Sequence, residues 1–319
     1  MKIKLLVYLK NNFKFYGLNA FKIFFKDLFF KIEEKISNGK LKKIKLYDFE
    51  MLIPLGIEGI GRGLYVYGGR ELDHKWILEK TLQKNDTIFD LGANIGYYIM
   101  LENFILDGNC KIFAVEPDPR NIKVLSENIL NSNLTERVKF EQVAISNFTG
   151  KADLIFSNRT NLNRLKFDTE NKENDSVITV PVIDFIEYLS KLPTINIMRM
   201  DIEGAEIDVF DSIIENYKKS KTLILPKRIV FETHNYDQNK GKMKNYLAKL
   251  FEIGYEVEYL ASDDEHKNNP IIKSLGYSPI EVIQESSCTR GIYTNINPLD
   301  SINLISNWNG TRTVCLKFK

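Results

Sequence analysis

Cysteine is scarce in this chain: Cys110, Cys288 and Cys315 are the only three in 319 residues. They are an odd number, far apart, with no CxxC pair and no histidine cluster beside them. This argues against a disulfide framework or a cysteine-based zinc site and agrees with a reducing compartment. A charge excess of one sign is missing too. Lys plus Arg (44) nearly balances Asp plus Glu (42), so the chain lacks the global positive field of a general nucleic-acid binder. Long hydrophobic runs are also absent. The opening MKIKLLVYLK places lysines before LLVYL, a run shorter than a signal-peptide core and far too short to cross a bilayer. The expectation is a cytoplasmic chain without export or transmembrane segments. Internal repeats and low-complexity tracts are lacking. What is present, 44% hydrophobic and 27% charged residues, is material for one large core or a domain plus appendage.

The segment FYGLNAFKIFFKDLFFKIEEK places Phe21, Phe25, Leu28 and Ile32 on one helical face, with Lys22, Lys26 and Lys35 elsewhere. Such a stripe is read first as a face docked on the chain's own domain or a partner subunit. A basic amphipathic helix lying peripherally on an anionic membrane is the alternative. KLKKIKLYDFEMLIPL and RGLYVYGG then read as strands of a hairpin. From Glu71 onward strands and helices alternate: ELDHKWILEKTL, TIFDL, GYYIMLENFIL, KIFAVE, PRNIKVLSENILNS and VKFEQVAI, then DFIEYLSKL, INIMRMD, GAEIDVFDSIIENY, RIVFE, KMKNYLAKLFEIG and YEVEYL. That alternation predicts an α/β fold, a doubly wound and mostly parallel sheet with helices on both faces. The expected organisation is an extension over 1–70, a domain over 71–300 with polar insertions at 157–176 and 261–288, and a C-terminal tail over 301–319. TRGIYTNI is expected as the last strand, and the insertions as places for substrate contacts.

Ligands of an open parallel sheet bind at the carboxyl ends of its strands. Here those ends read DLGANIG, VEPDP, MDIEG and FETHN, the first, second, fourth and fifth strands of the alternation, which deliver acids to one edge. The first is not a dinucleotide fingerprint, since Asn94 and Tyr97 stand where GxGxxG wants its second and third glycines. It is DxGxNxG, and Glu116 closes the next strand about twenty residues on, a place suited to ribose hydroxyls. A ligand with a nucleoside but no pyrophosphate explains both features, and S-adenosylmethionine is such a ligand. The cofactor-binding candidates are Asp90, near its ammonium, the turn residues Gly92, Asn94, Gly96 and Tyr97, Glu116 on the ribose, and Asp201 near the methionyl part.

DLGANIGYY, AVEPDPRNIKVLSENILNSN, AISNFTG, MRMDIEGAE and FETH occur in the order and approximate spacing of FkbM-type S-adenosylmethionine-dependent methyltransferases, which this chain resembles from about residue 70 to 260. The usual KIDVEGAE of that family stands here as RMDIEGAE, with Arg199 for the lysine. The resemblance implies a class I methyltransferase, Rossmann-like fold and O-methylation of a hydroxyl on a sugar, glycan or related hydroxylated metabolite.

A sugar hydroxyl is a weak acid, so a base or a metal is useful. His234 stands two residues past Glu232 and would share its side of an extended strand, which makes it the candidate base with Glu232 or Asp201 orienting it. A histidine satisfied by a backbone carbonyl is the plainer alternative. Asp201 and Glu232 are also the pair that could hold Mg2+. His74 is expected on a surface helix, Glu203 and Asp118 as helix caps, and Asn128 and Asn131 as structural. The rival functions are a nucleic-acid or other small-molecule methyltransferase, and a catalytically idle scaffold docked to a glycosyltransferase or a membrane. Against nucleic acid, the fourth strand lacks the Asn/Asp-Pro-Pro-aromatic tetrad and no Pro-Cys nucleophile is present.

Overall fold

The computed structural model describes residues 13, 16–37, 39–56, 59–156, 164–165, 176–220, 225–233, 241–263, 271–285, 288–307 and 311–319. Helix α1 (Asn19–Ile36) leads into an antiparallel hairpin of β1 (Leu41–Leu46) and β2 (Phe49–Pro54). RGLYVYGG, expected as strand, is instead helix α2 (Ile60–Tyr67). Its tyrosines and valine favour a strand locally, but packing prevails. Gly61 lies directly against Ile53, and Gly68 ends the helix by donating its N–H to the Leu64 carbonyl. Helix α1 docks on the chain's own domain, but not by the expected stripe. Ala20, Ile23 and Phe30 are buried, whereas Phe21, Phe25, Leu28 and Ile32 face solvent.

The alternation follows as α3 (Leu72–Thr81), β3 (Asp86–Leu91), α4 (Tyr97–Ile105), β4 (Cys110–Val115), α5 (Pro119–Asn131) and β5 (Val138–Glu141). A side sheet then forms from β6 (Ala144–Ser146), β7 (Gly150–Phe156), β8 (Arg164–Leu165) and β9 (Ser176–Asp184). VKFEQVAI, expected as one strand, thus divides between two sheets. The main series resumes with α6 (Phe185–Leu189), β10 (Ile197–Met200), α7 (Glu206–Lys219), β11 (Arg228–Glu232), α8 (Lys242–Glu252) and β12 (Tyr255–Ser262). Helix α9 (Ile271–Ser274), β13 (Glu281–Glu285), β14 (Cys288–Tyr293), α10 (Pro298–Ser306) and β15 (Thr311–Phe318) complete the described residues.

The main sheet has nine strands in the order β13-β14-β12-β15-β11-β10-β3-β4-β5. From β11 to β5 every pairing is parallel, and β15 is inserted antiparallel between β11 and β12. This corrects the expectation of a C-terminal tail. Residues 311–318 are an interior strand, and β14, expected to be last, lies two positions further out, beyond β12. Alternate residues of each central strand feed opposite cores, as a sheet covered on both faces requires. Ile88, Ile112, Ile197 and Val230 pack with Leu78, Leu101 and Leu125, whereas Phe89, Met198, Met200 and Phe231 pack with Phe185, Phe210 and Leu247. The reversal of strand order lies between β3 and β10, so the crevice expected for a ligand opens where Asp90 and Asp201 emerge.

Candidate active site

The turn after β3 is shaped by its backbone. Gly92 has φ 82°, Asn94 φ 52° and Gly96 φ 87°. A Cβ at Gly92 would lie 2.1 Å from the Asp201 carbonyl oxygen, so the β3 and β10 ends approach as closely as backbones can. The N–H groups of Gly92 and Ala93 both donate to the Val115 carbonyl, and that of Asn94 donates to Glu116 Oε2 at 2.8 Å. Glu116 also accepts from the Asp118 N–H at 2.9 Å and the Asn121 amide at 3.2 Å. Burial raises the pKa of its carboxyl to about 7, and these three donors only partly oppose it. Asp118 caps α5 as expected, accepting from the Arg120 N–H. Asn128 is structural: it accepts from the Leu52 N–H and donates to the carbonyls of Leu52 and Ile95, tying the hairpin to the turn.

Asp90 is not open to a ligand in the way its position suggests. Arg199, itself buried, donates to Asp90 Oδ1 at 2.8 Å, to the Gly92 carbonyl at 3.3 Å and to Asp201 Oδ2 at 3.0 Å. Its guanidinium carbon sits 3.7 Å from the centre of the Tyr98 ring. Asp90 Oδ2 is buried without a hydrogen-bond partner. Beneath this group lie Glu102 and His74, both fully buried and both lacking hydrogen-bond partners for their side-chain polar atoms. Burial, reinforced by Asp90, pushes Glu102 well above the carboxylate range; burial and the Arg199 charge bring His74 down to about 3. Both are therefore held neutral, and the surface position expected for His74 is corrected. Tyr97 also turns inward: its side chain is buried in the core with its hydroxyl on the Arg70 carbonyl.

At the neighbouring strand ends three acids meet three arginines. One oxygen each from Glu71, Asp201 and Glu232 lies within 4.8 Å of the others. Arg70 pairs with Glu71, Arg312 with Glu232, and Arg312 also approaches Glu71 at 3.6 Å. The Tyr98 hydroxyl donates to Glu71. Burial works against the Glu71 charge, but Arg70, Arg312 and Tyr98 outweigh it and hold that carboxyl below the usual range. A divalent cation would have to enter a group whose charge is already matched, so the three acids do not fit a metal site as they stand. Asp201, its side chain 22% exposed, is the most open of them. The Ile202 and Gly204 N–H groups donate to Glu206, which takes the helix-closing role expected of Glu203.

The structure thus brings together Asp90, Gly92, Asn94, Gly96, Glu116, Asp201 and Glu232 at one edge. His234 lies outside the described residues. Glu71, Arg70 and Arg312 were missed by sequence reading. The helix-start acid in GGRELDH was the one local signal for Glu71, and its φ of 51° had none.

Residues 90–257 match the family profile described as Methyltransferase FkbM domain. The chain belongs to the FkbM methyltransferase family. Its strand order, with one antiparallel strand inserted beside β11, gives this FkbM chain the α/β class I methyltransferase architecture. A search of curated proteins finds no match to its sequence. Among solved structures it is similar to methyltransferase FkbM from Methylobacillus flagellatus KT, with 13% identity, 75% of this chain and 64% of that one covered, and a TM-score of 0.36. The chain therefore spans less than two thirds of that protein. It is also similar to an O-methyltransferase described as SAM-dependent from Thermotoga maritima, with 12% identity, 78% and 65% covered, and a TM-score of 0.38. A third is M. jannaschii TYW2 in complex with AdoMet, with 12% identity, 88% of each chain covered and a TM-score of 0.39.

Proposed function

We propose that the chain transfers a methyl group from S-adenosylmethionine to a hydroxyl of a sugar, glycan or related hydroxylated metabolite. The observation that supports the cofactor is the acid-headed turn itself: Gly92, Asn94 and Gly96 in left-handed backbone, closed on a buried Glu116 at the end of the adjacent strand. A carboxylate at that position accepts from a ribose diol, and the orphaned Asp90 Oδ2 is a further buried acceptor beside the turn. Bound cofactor would supply a methyl group already activated by its sulfonium. The chain's own residues then have to align an acceptor oxygen and remove its proton. Asp201, the most open acid at the edge, is assigned to orient that oxygen, and His234, which follows Glu232 by two residues in the sequence, to take the proton.

Isothermal titration with S-adenosylmethionine tests the cofactor reading. Micromolar binding is expected from affinities typical of enzymes, and Glu116→Ala should weaken it about tenfold or more, since charge-assisted hydrogen bonds are worth a few kcal/mol. Absence of binding to the parent protein would favour the scaffold reading. For the base, His234→Ala should lower turnover about a hundredfold while leaving cofactor affinity unchanged. Chelator should leave turnover intact, because the acid cluster is matched by arginines; loss of activity with EDTA would move the proton-removing role to a metal on Asp201 and Glu232.

A further inference from the structure

Helix α1 has two apolar faces, and among the described residues its own domain covers only one. Ala20, Ile23 and Phe30 are buried, and this side is pinned by Arg62 donating to the buried Asp27 and by Lys26 donating to the Tyr65 carbonyl. On the opposite side Leu18, Phe21, Phe25, Leu28, Phe29, Ile32 and Ile36 are exposed, Leu18 and Ile36 to 80% and 76%. At the helical period these seven fall within an arc of roughly 100° that contains no polar residue. Lys22 and Lys26 follow one margin of the arc, and Lys31 and Lys35 the other.

Charge is concentrated in the same place. Residues 19–46 hold eight lysines against three acids, in a chain whose net charge is +2. Asp27 is buried against Arg62 and Lys31, Glu33 pairs with Lys42, and Glu50 and Asp48 answer Lys43 and Lys45, which leaves Lys22, Lys35 and Lys40 exposed with no ion pair among the described residues. The outward field of this segment is therefore positive. We infer that this face docks on an anionic lipid bilayer, with the helix lying in the interface plane. The three phenylalanine rings enter the acyl boundary, and the exposed Lys22 and Lys35, one on each margin, reach headgroup phosphates along their alkyl stems. A second copy fits less well. Pairing two such faces would set one lysine margin against another, and the one acid on those margins, Glu33, is already paired with Lys42. Apolar patches this continuous are seldom left uncovered on soluble chains.

Flotation of the full chain with vesicles of phosphatidylcholine containing phosphatidylglycerol tests the assignment. The chain should float with these vesicles, bind pure phosphatidylcholine much more weakly, and be released by high salt. The exposed triple substitution Phe21→Ser, Phe25→Ser, Phe29→Ser should reduce binding about tenfold or more with its thermal transition unchanged, because none of the three is buried. Lys22→Glu with Lys35→Glu should remove the preference for anionic lipid. The inference is overturned if the parent chain does not bind anionic vesicles or if the triple variant binds as well as the parent. It is equally overturned if sedimentation shows a dimer that the triple variant dissolves, which would assign the face to a second copy.

Discussion

At the scale of single residues, two charges decide how the crevice behaves. Arg199 stands where the family usually has lysine, and it spans three acceptors that a single ammonium could not hold in one plane. Arg199→Ala would leave Asp90 buried and uncompensated, so unfolding in urea should show a loss of about 3–5 kcal/mol. Arg199→Lys should fall between, and a loss below about 1 kcal/mol in the alanine variant would mean that the pair is not holding the turn. Glu116 is the second charge. Its carboxyl is raised to about 7 from 4.5, so the fold prefers its protonated form. That preference contributes stability in full below about pH 4.5 and loses it as pH rises through about 7, a swing of about 3 kcal/mol. A ribose diol donates to the ionised form, so the sign reverses for binding. Cofactor affinity should rise with pH through 7, by up to about tenfold per unit, and Glu116→Gln should flatten the titration. An affinity independent of pH in the parent would remove Glu116 from the ribose.

At the scale of elements, the strands and helices that were legible are those whose pattern is local. TIFDL, KIFAVE, INIMRMD and RIVFE are runs of β-formers with an acid last or next to last, and each gives a strand of the parallel series. Helix α5 announces itself through Asp118 and Pro119 at its start. Elements set by distant packing were misread. The segment RGLYVYGG belongs to a helix that buries Leu64 and Val66 and sets Gly61 against Ile53, and Asp73 and His74 of α3 are buried where Thr313 and Tyr98, far away in sequence, meet them. The acid edge was readable from strand ends, but its arginines were not: Arg312 reaches Glu232 and Glu71 only after the sheet has formed. The hairpin offers a test at this scale. Asn128→Ala removes one side chain that serves Leu52 twice and Ile95 once, leaving buried backbone groups unpaired. Stability should fall by about 2–4 kcal/mol in a denaturant titration, and a change under about 0.5 kcal/mol would show that the hairpin does not depend on this clamp.

At the scale of the whole molecule, the sheet has its seam in the middle rather than at an edge. β15 is hydrogen-bonded on one side to β11 and on the other to β12. Ending the chain before residue 311 should therefore abolish the cooperative thermal transition, whereas a tail would be dispensable; a truncated chain that melts like the parent would refute this. The same strand also gives synthesis a direction. β15 leaves the ribosome after every other described strand of its sheet, so β11 and β12 wait with facing unpaired edges while the intervening residues emerge. During that interval each nascent molecule carries two templates for strand addition, and crowded polysomes are where neighbouring copies would take them up. Slow elongation over the β12–β15 interval should raise the insoluble fraction, and a chaperone that shields strand edges should lower it.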